Sequence, residues 1–187
     1  MSATRLDTNT ALVVIDLQKG IVALPTAHPV GGVIERTREL LDAFRSRGLP
    51  VVLVNVAGGA PGRTQQQVRL DALPADWTEL IAELDRQPGD HLVTKKTWGA
   101  FTGTDLDAYL KAAGVTQIVL AGVATSIGVE STARQAHELG YNVTLAVDAM
   151  TDLNADAHAN SVERLFPRLG ETGSTQDIVA LLDRRGA

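Results

Sequence analysis

A chain of 187 residues, 44% apolar and 21% charged, has the make-up of one soluble globular domain and is long enough to bury a core without a disulfide or a structural metal. It contains no cysteine, which excludes a thiolate nucleophile, a thiolate metal site and a redox dithiol, and its net charge of -5 argues against a nucleic-acid surface. The polar opening MSATRLDTNT is no secretory signal, and the longest apolar runs fall far short of the roughly 20 residues that span a bilayer. The expectation is a cytoplasmic protein with neither nucleic acid nor membrane as a partner.

Along the chain, short β-branched runs alternate with longer amphipathic segments, and no Pro/Ser/Gly linker divides them, so residues 1–187 read as one domain. ALVVID is apolar throughout, which suits a strand covered on both faces, and Asp16 stands where it ends. Val33 to Arg47 gathers Val33, Ile34, Leu40, Leu41 and Phe44 mostly on one face and stops at Gly48, the pattern of a helix. PVVLVNV, from Pro50, is a second buried strand, followed by the loop GGAPGR. Trp77 to Leu84 has a helical pattern, while Gln65 to Ala72 fits either a helix or an extended segment. His91 to Thr94 makes a short strand, and Thr104 to Ala113 a helix with Thr104 as its N-cap.

The closing third reads as strand Gln117 to Ala121, helix Ile127 to Leu139, strand Asn142 to Val147, helix Ala155 to Phe166, strand Arg168 to Thr172 and helix Thr175 to Arg184. Six strands with helical crossovers imply an α/β fold, a three-layer α/β/α sandwich around a six-stranded parallel, Rossmann-like sheet. Ligands of such sheets bind beyond the carboxyl ends of the strands. That rule selects Asp16 and Gln18, the stretch Asn55 to Arg63, Lys95, the stretch Gly122 to Gly128, and Asp148. A carboxylate and a lysine meeting at an apolar mouth would perturb each other's proton affinity, as acid and base catalysts require. The residues alone leave open that Asp16 caps a turn and Lys95 lies in solvent.

Three blocks, ALVVIDLQKGI, VTKKTWGAFTGTDL and AGVATSIGVESTARQA, together resemble the signature blocks of the isochorismatase-like hydrolases, in the same order and over nearly the whole chain. The resemblance implies a six-stranded parallel sheet and a homo-oligomer, a dimer or tetramer. It places the family's catalytic aspartate on Asp16 and its catalytic lysine on Lys95. Adjacent strand side chains point to opposite faces, so only one of Lys95 and Lys96 can face the site, and the family's motif spacing chooses Lys95. It also implies a cis peptide between Val123 and Ala124, with Val123, Ala124 and Thr125 turning N–H groups toward substrate.

The third catalytic position, a cysteine in the family's amidases, falls on Gly128. Ser126 and Ser131 lie at other helical angles, and a serine there would need a base aimed at it. Nicotinamidases of the family bind a metal through an aspartate and two histidines after the second strand, whereas NVAGGAPGRT contains neither residue type. His28, His91, His137 and His158 show no ligand spacing and read as surface or loop residues, so no metal and no cofactor is expected.

The resemblance then points to the true isochorismatases, which keep the aspartate and lysine without the cysteine and hydrolyse a vinyl ether with no covalent intermediate. Asp16 would be the general acid. Arg63 beside Lys95 could hold a small substrate's carboxylates, Gln18 and Asn55 its hydroxyls, and Trp98 and Phe101 could form an apolar wall. Arg63 could equally be an exposed loop arginine, and the two aromatics ordinary core or interface residues. A non-catalytic small-molecule binder on the same fold, or a hydrolase of another small substrate, is the alternative.

Overall fold

In the computed structural model, which describes residues 3–66 and 73–184, the apolar runs form one parallel sheet. Its strands are β1 (Thr10–Ile15), β2 (Val51–Val56), β3 (His91–Lys95), β4 (Gln117–Val123), β5 (Asn142–Thr151) and β6 (Glu171–Gly173). Their spatial order is β3-β2-β1-β4-β5-β6, so the chain reverses its direction of winding between β1 and β4. Helices α1 (Lys19–Val22), α2 (Val30–Arg45), α3 (Leu106–Ala112), α4 (Glu130–Glu138), α5 (Ala155–Asn160), α6 (Phe166–Leu169) and α7 (Thr175–Arg184) complete the α/β/α sandwich.

Alternation along the strands makes two cores. Leu12, Val14, Leu53, Val119 and Ala121 face α2 and α7, meeting Leu40, Phe44, Ile178 and Leu182. Val13, Ile15, Val52, Val54, Ile118 and Leu120 face α3, α4 and α6, meeting Leu106, Leu110, Ala133 and Phe166. Every residue of β1 and β4 is buried, which is why these strands are apolar without a break.

Several segments depart from the expectations. The helix expected from Val33 to Arg47 runs instead over Val30–Arg45. Trp77 to Leu84 is not a helix: its backbone bonds go to another segment, with Trp77 O and Glu79 O accepting from Gly20 N and Lys19 N, Leu80 bridging Gln18, and only Ala82–Leu84 forming a 3-10 turn. A Cβ on Gly20 would lie inside the Trp77 indole, so the ring seats flat on that backbone. Of Gln65 to Ala72, residues 67–72 lie outside the described residues.

The helix expected from Ile127 begins earlier, as a π-helical turn over Thr125–Val129 that runs into α4. A second π-turn, Ser161–Leu165, joins α5 to α6, and the helix continues through Pro167 to Leu169 because a proline in a first turn gives up no needed N–H. The last strand is therefore Glu171–Gly173 rather than Arg168 to Thr172. Strand β5 extends to Thr151 through an irregularity facing Leu120 and Gly122, so Asp148 is inside the strand and not beyond it. Its carboxylate accepts from Thr175 N at 2.7 Å and Thr175 Oγ1 at 2.9 Å, holding the start of α7.

Candidate active site

The site forms at the reversal point, where β1 and β4 lie side by side and end together. Asp16 follows β1 with φ 51°, a left-handed backbone conformation that turns its side chain off the strand line. Lys95, the last residue of β3, reaches past β2 and donates from Nζ to Asp16 Oδ2 at 2.7 Å and to Thr97 O at 3.2 Å. Both side chains are buried, Lys95 to 2% exposure. Asp16 Oδ1 is buried as well and receives no hydrogen bond from any described residue.

Burial is the larger influence on the Asp16 carboxyl and Lys95 the opposing one; together they push it from 3.8 up to about 6. The resulting acid keeps a usable proton close to neutral pH. Lys95 also makes the two oxygens unequal, because Oδ2 accepts from the ammonium while Oδ1 has no partner among the described residues.

Two glycines of the β4 segment allow this packing. Gly122 has φ 119°, and a Cβ there would fall 2.0 Å from Ile15 O, so only glycine lets β4 approach the end of β1. A Cβ on Gly128 would lie 2.9 Å from Ile15 Cγ2, 3.2 Å from Asp16 Oδ2 and 3.6 Å from Trp98 O. Position 128 therefore faces the carboxylate directly, and this chain places no side chain there. The Val123–Ala124 peptide is cis, and Ala124 O accepts from Ile127 N and Val129 N, closing the turn.

The other expected residues divide into those near the pair and those occupied elsewhere. Thr125 opens the turn and is fully buried, its hydroxyl 2.8 Å from His158 Nδ1. Trp98, 63% exposed, lies at the surface with its carbonyl toward Gly128. Gln18 is fully buried and its amide is spent on the backbone: Nε2 donates to Val56 O and Trp77 O, and Oε1 accepts from Val56 N. Asn55 is similarly engaged, donating to Thr78 O and accepting from Thr94 Oγ1. Phe101 packs in the α3/α4 core, its ring 5.9 Å from that of Tyr141, the residue before β5. Arg63 is an exposed loop residue.

Four participants went unrecognised in the sequence. His28 is an exposed loop residue as expected and His158 a half-buried helix residue, and their rings are 4.7 Å apart with Thr151 and Asp152 beneath them. No linear spacing announces such a cluster, since it joins the loop before α2, the end of β5 and α5. Among the described residues no group of three or more His, Cys, Asp or Glu is placed to hold a metal ion.

The family model for the isochorismatase domain matches residues 10–177, from the first residue of β1 into α7. The chain belongs to the isochorismatase family. As a member of it the protein is a hydrolase, and two of its relatives share its length. The isochorismatase family protein YwoC of Bacillus subtilis is 43% identical over 177 residues, covering 91% of this chain and 92% of its own. The solved isochorismatase family protein of Burkholderia thailandensis, also 43% identical, superposes with a TM-score of 0.91 over 96% of this chain and 98% of its own. The ureidoacrylate amidohydrolase RutB of Rhizobium rhizogenes is 31% identical over 84% of this chain and 78% of its own. Within the isochorismatase family, then, this chain sits among relatives that include amidohydrolases. No helix among its described residues is long and apolar enough to cross a membrane.

Proposed function

We propose that the protein hydrolyses a small molecule without a covalent enzyme intermediate, with Asp16 as the general acid, and most concretely that it cleaves a vinyl ether of the isochorismate type. The observation that carries the reading is the carboxyl of Asp16, buried, pushed up to about 6, with Lys95 on Oδ2 and Oδ1 unengaged, facing a glycine at position 128. Such an acid can deliver its Oδ1 proton to the terminal methylene carbon of an enol ether. The electron pair of the double bond forms the new C–H bond, leaving an oxocarbenium ion beside the Asp16 carboxylate and Lys95. Water adds to the oxocarbenium carbon and gives one proton back to Asp16, and the resulting hemiketal breaks its C–O bond as its hydroxyl proton passes to the leaving oxygen, giving pyruvate and the alcohol. Nothing in this sequence needs a nucleophile at position 128, so the glycine is compatible with turnover.

Arg63, on its exposed loop, is proposed to engage a carboxylate of the substrate, and Val123, Ala124 and Thr125 to present the turn to it. Trp98, a large aromatic surface left open next to the site, supports a homo-oligomer. Light scattering that gives the monomer mass would remove that part of the reading.

The kinship with RutB favours a second reading in which the scissile bond is an amide and Asp16, as the carboxylate, activates water. The two differ in the sign of their pH dependence. An acid at about 6 predicts turnover that falls as pH rises through that value, and a base predicts turnover that rises. The experiment is incubation with isochorismate, following pyruvate, beside ureidoacrylate, following ammonia, each against Asp16→Asn. Pyruvate release lost in Asp16→Asn supports the vinyl ether, and ammonia release lost in it supports the amide. Release of neither product overturns both readings in favour of a hydrolase of another small substrate or a binding protein on this fold.

A further inference from the structure

Behind the turn that carries Gly128 lies a polar cluster with no part in the chemistry above. His158, on α5, has Nδ1 2.8 Å from Thr125 Oγ1, the first residue of the π-turn. His28 lies against His158, ring centroids 4.7 Å apart at 60°, and its Nδ1 is 3.1 Å from Thr151 Oγ1. The same Thr151 oxygen accepts from His28 N at 3.2 Å. Asp152, 2% exposed, accepts from Ser126 N at 2.7 Å and Asn154 N at 3.1 Å, while its carbonyl accepts from Ala27 N. One end of the turn is thus held by His158 and Asp152, and the other end presents Gly128 to Asp16.

We propose that His158, supported by His28, is a positioning residue that holds Thr125 through its Nδ1, and that a proton taken up by the histidine pair reverses the direction of this hydrogen bond and moves Gly128 relative to Asp16. The charges facing His158 are His28 from the loop before α2 and Asp152 from beyond β5; Asp156 on its own helix is exposed, and Glu130 of α4 is turned to Ser161 and Arg134. Burial and the neighbouring His28 lower its proton affinity, Asp152 working against them. Two imidazoles this close do not both take a proton readily, so the switch operates on the acid side of the ordinary histidine range.

The proposal does not depend on the substrate, and its test does not require one. The amide resonances of Ser126 and Gly128, together with the imidazole carbons of His28 and His158, are followed from about pH 5 to 8, the window of histidine titration. The wild type, His158→Gln, His28→Asn and Asp16→Asn are compared. The expected result is that both amides shift with the midpoint of the His158 ring, that the shift is lost in His158→Gln, and that it persists in Asp16→Asn. In His28→Asn the midpoint rises, because the neighbouring imidazole is gone. Amide shifts that vanish in Asp16→Asn and survive in His158→Gln overturn the proposal, as do amides that stay still while the His158 ring titrates. Glutamine can still accept from Thr125, so the comparison does not require the turn to survive loss of its partner.

Discussion

At Asp16 two influences of opposite sign meet in one carboxyl, and a single substitution separates them. Burial raises its proton affinity, and both the charge and the hydrogen bond of Lys95 lower it. Lys95→Met removes the lowering influences and keeps the burial, so the carboxyl should titrate well above 6, seen directly in a carboxyl-carbon NMR titration. An Asp16 that titrates lower in that variant would mean that burial is not the dominant cause. Gly128 offers a second test at this scale. Alanine there gains helix propensity of about 1 kcal/mol but sets a methyl against Ile15 Cγ2, which sits on the β-carbon of a strand residue and cannot swing aside. The net expectation for Gly128→Ala is a loss on the order of 1 kcal/mol in urea denaturation, because overpacking costs about 1–3 kcal/mol. The same variant should lose turnover, since the new methyl also crowds Asp16 Oδ2.

Among the elements, the strip from Trp77 to Ile81 is the least conventional, and Gln18 holds it. The Gln18 amide donates to Trp77 O and pairs with both backbone groups of Val56, acting as an extra strand residue between β2 and the strip. Gln18→Leu strands those backbone groups in a buried place, so a loss of about 3 kcal/mol is expected. A change in Trp77 fluorescence as the indole leaves Gly20 is the local readout. The strip also shows what the sequence could and could not reveal. Strands β1, β2 and β4 are legible because burial on both faces demands uninterrupted apolar runs, and the helices of the closing third follow from their apolar spacing. Trp77 to Leu84 has a helical spacing too, but its hydrogen bonds are made with Leu17 to Gly20, and spacing does not report where a backbone finds its partners. Asp16, Lys95 and Gly128 were recognisable from their local motifs. His28 and His158 were not, because their meeting depends on where the loop before α2 and the end of β5 come to rest. Gln18 lies past its strand as expected, whereas Asn55, expected past β2, is inside it, and nothing in the sequence says that the backbone consumes their amides.

Over the whole molecule, buried Asp16 and half-buried His158 give stability opposite slopes with pH. Asp16 keeps a proton in the folded state up to about 6 that the unfolded chain releases near 3.8, so its contribution is present below that window and lost as pH rises through it. His158 resists a proton that the unfolded chain accepts in the ordinary histidine range, so its contribution is present at neutral pH and lost as pH falls. Asp16→Asn removes the first slope alone. Between neutral pH and pH 4, urea denaturation should show wild type gaining on that variant by about 2 kcal/mol, most of the effect that 1.36 kcal/mol per unit gives. A constant difference across that range would mean that Asp16 titrates as it does in the unfolded chain.

The strand order also decides when, during synthesis, the molecule is vulnerable. Strand β1 is the centre of the finished sheet, flanked by β2 and β4, yet β4 is made in the second half of the chain. A nascent polypeptide that has released β1, β2 and β3 from the ribosome can bring Lys95 to Asp16 while the far side of β1 still lacks its neighbour. That side is an open row of backbone donors and acceptors on a strand apolar from Ala11 to Ile15, the kind of edge to which foreign strands add. Translation arrested before Gln117 should therefore yield fragments that aggregate, and the arrival of β4 both seals that edge and delivers Gly128 to the carboxylate.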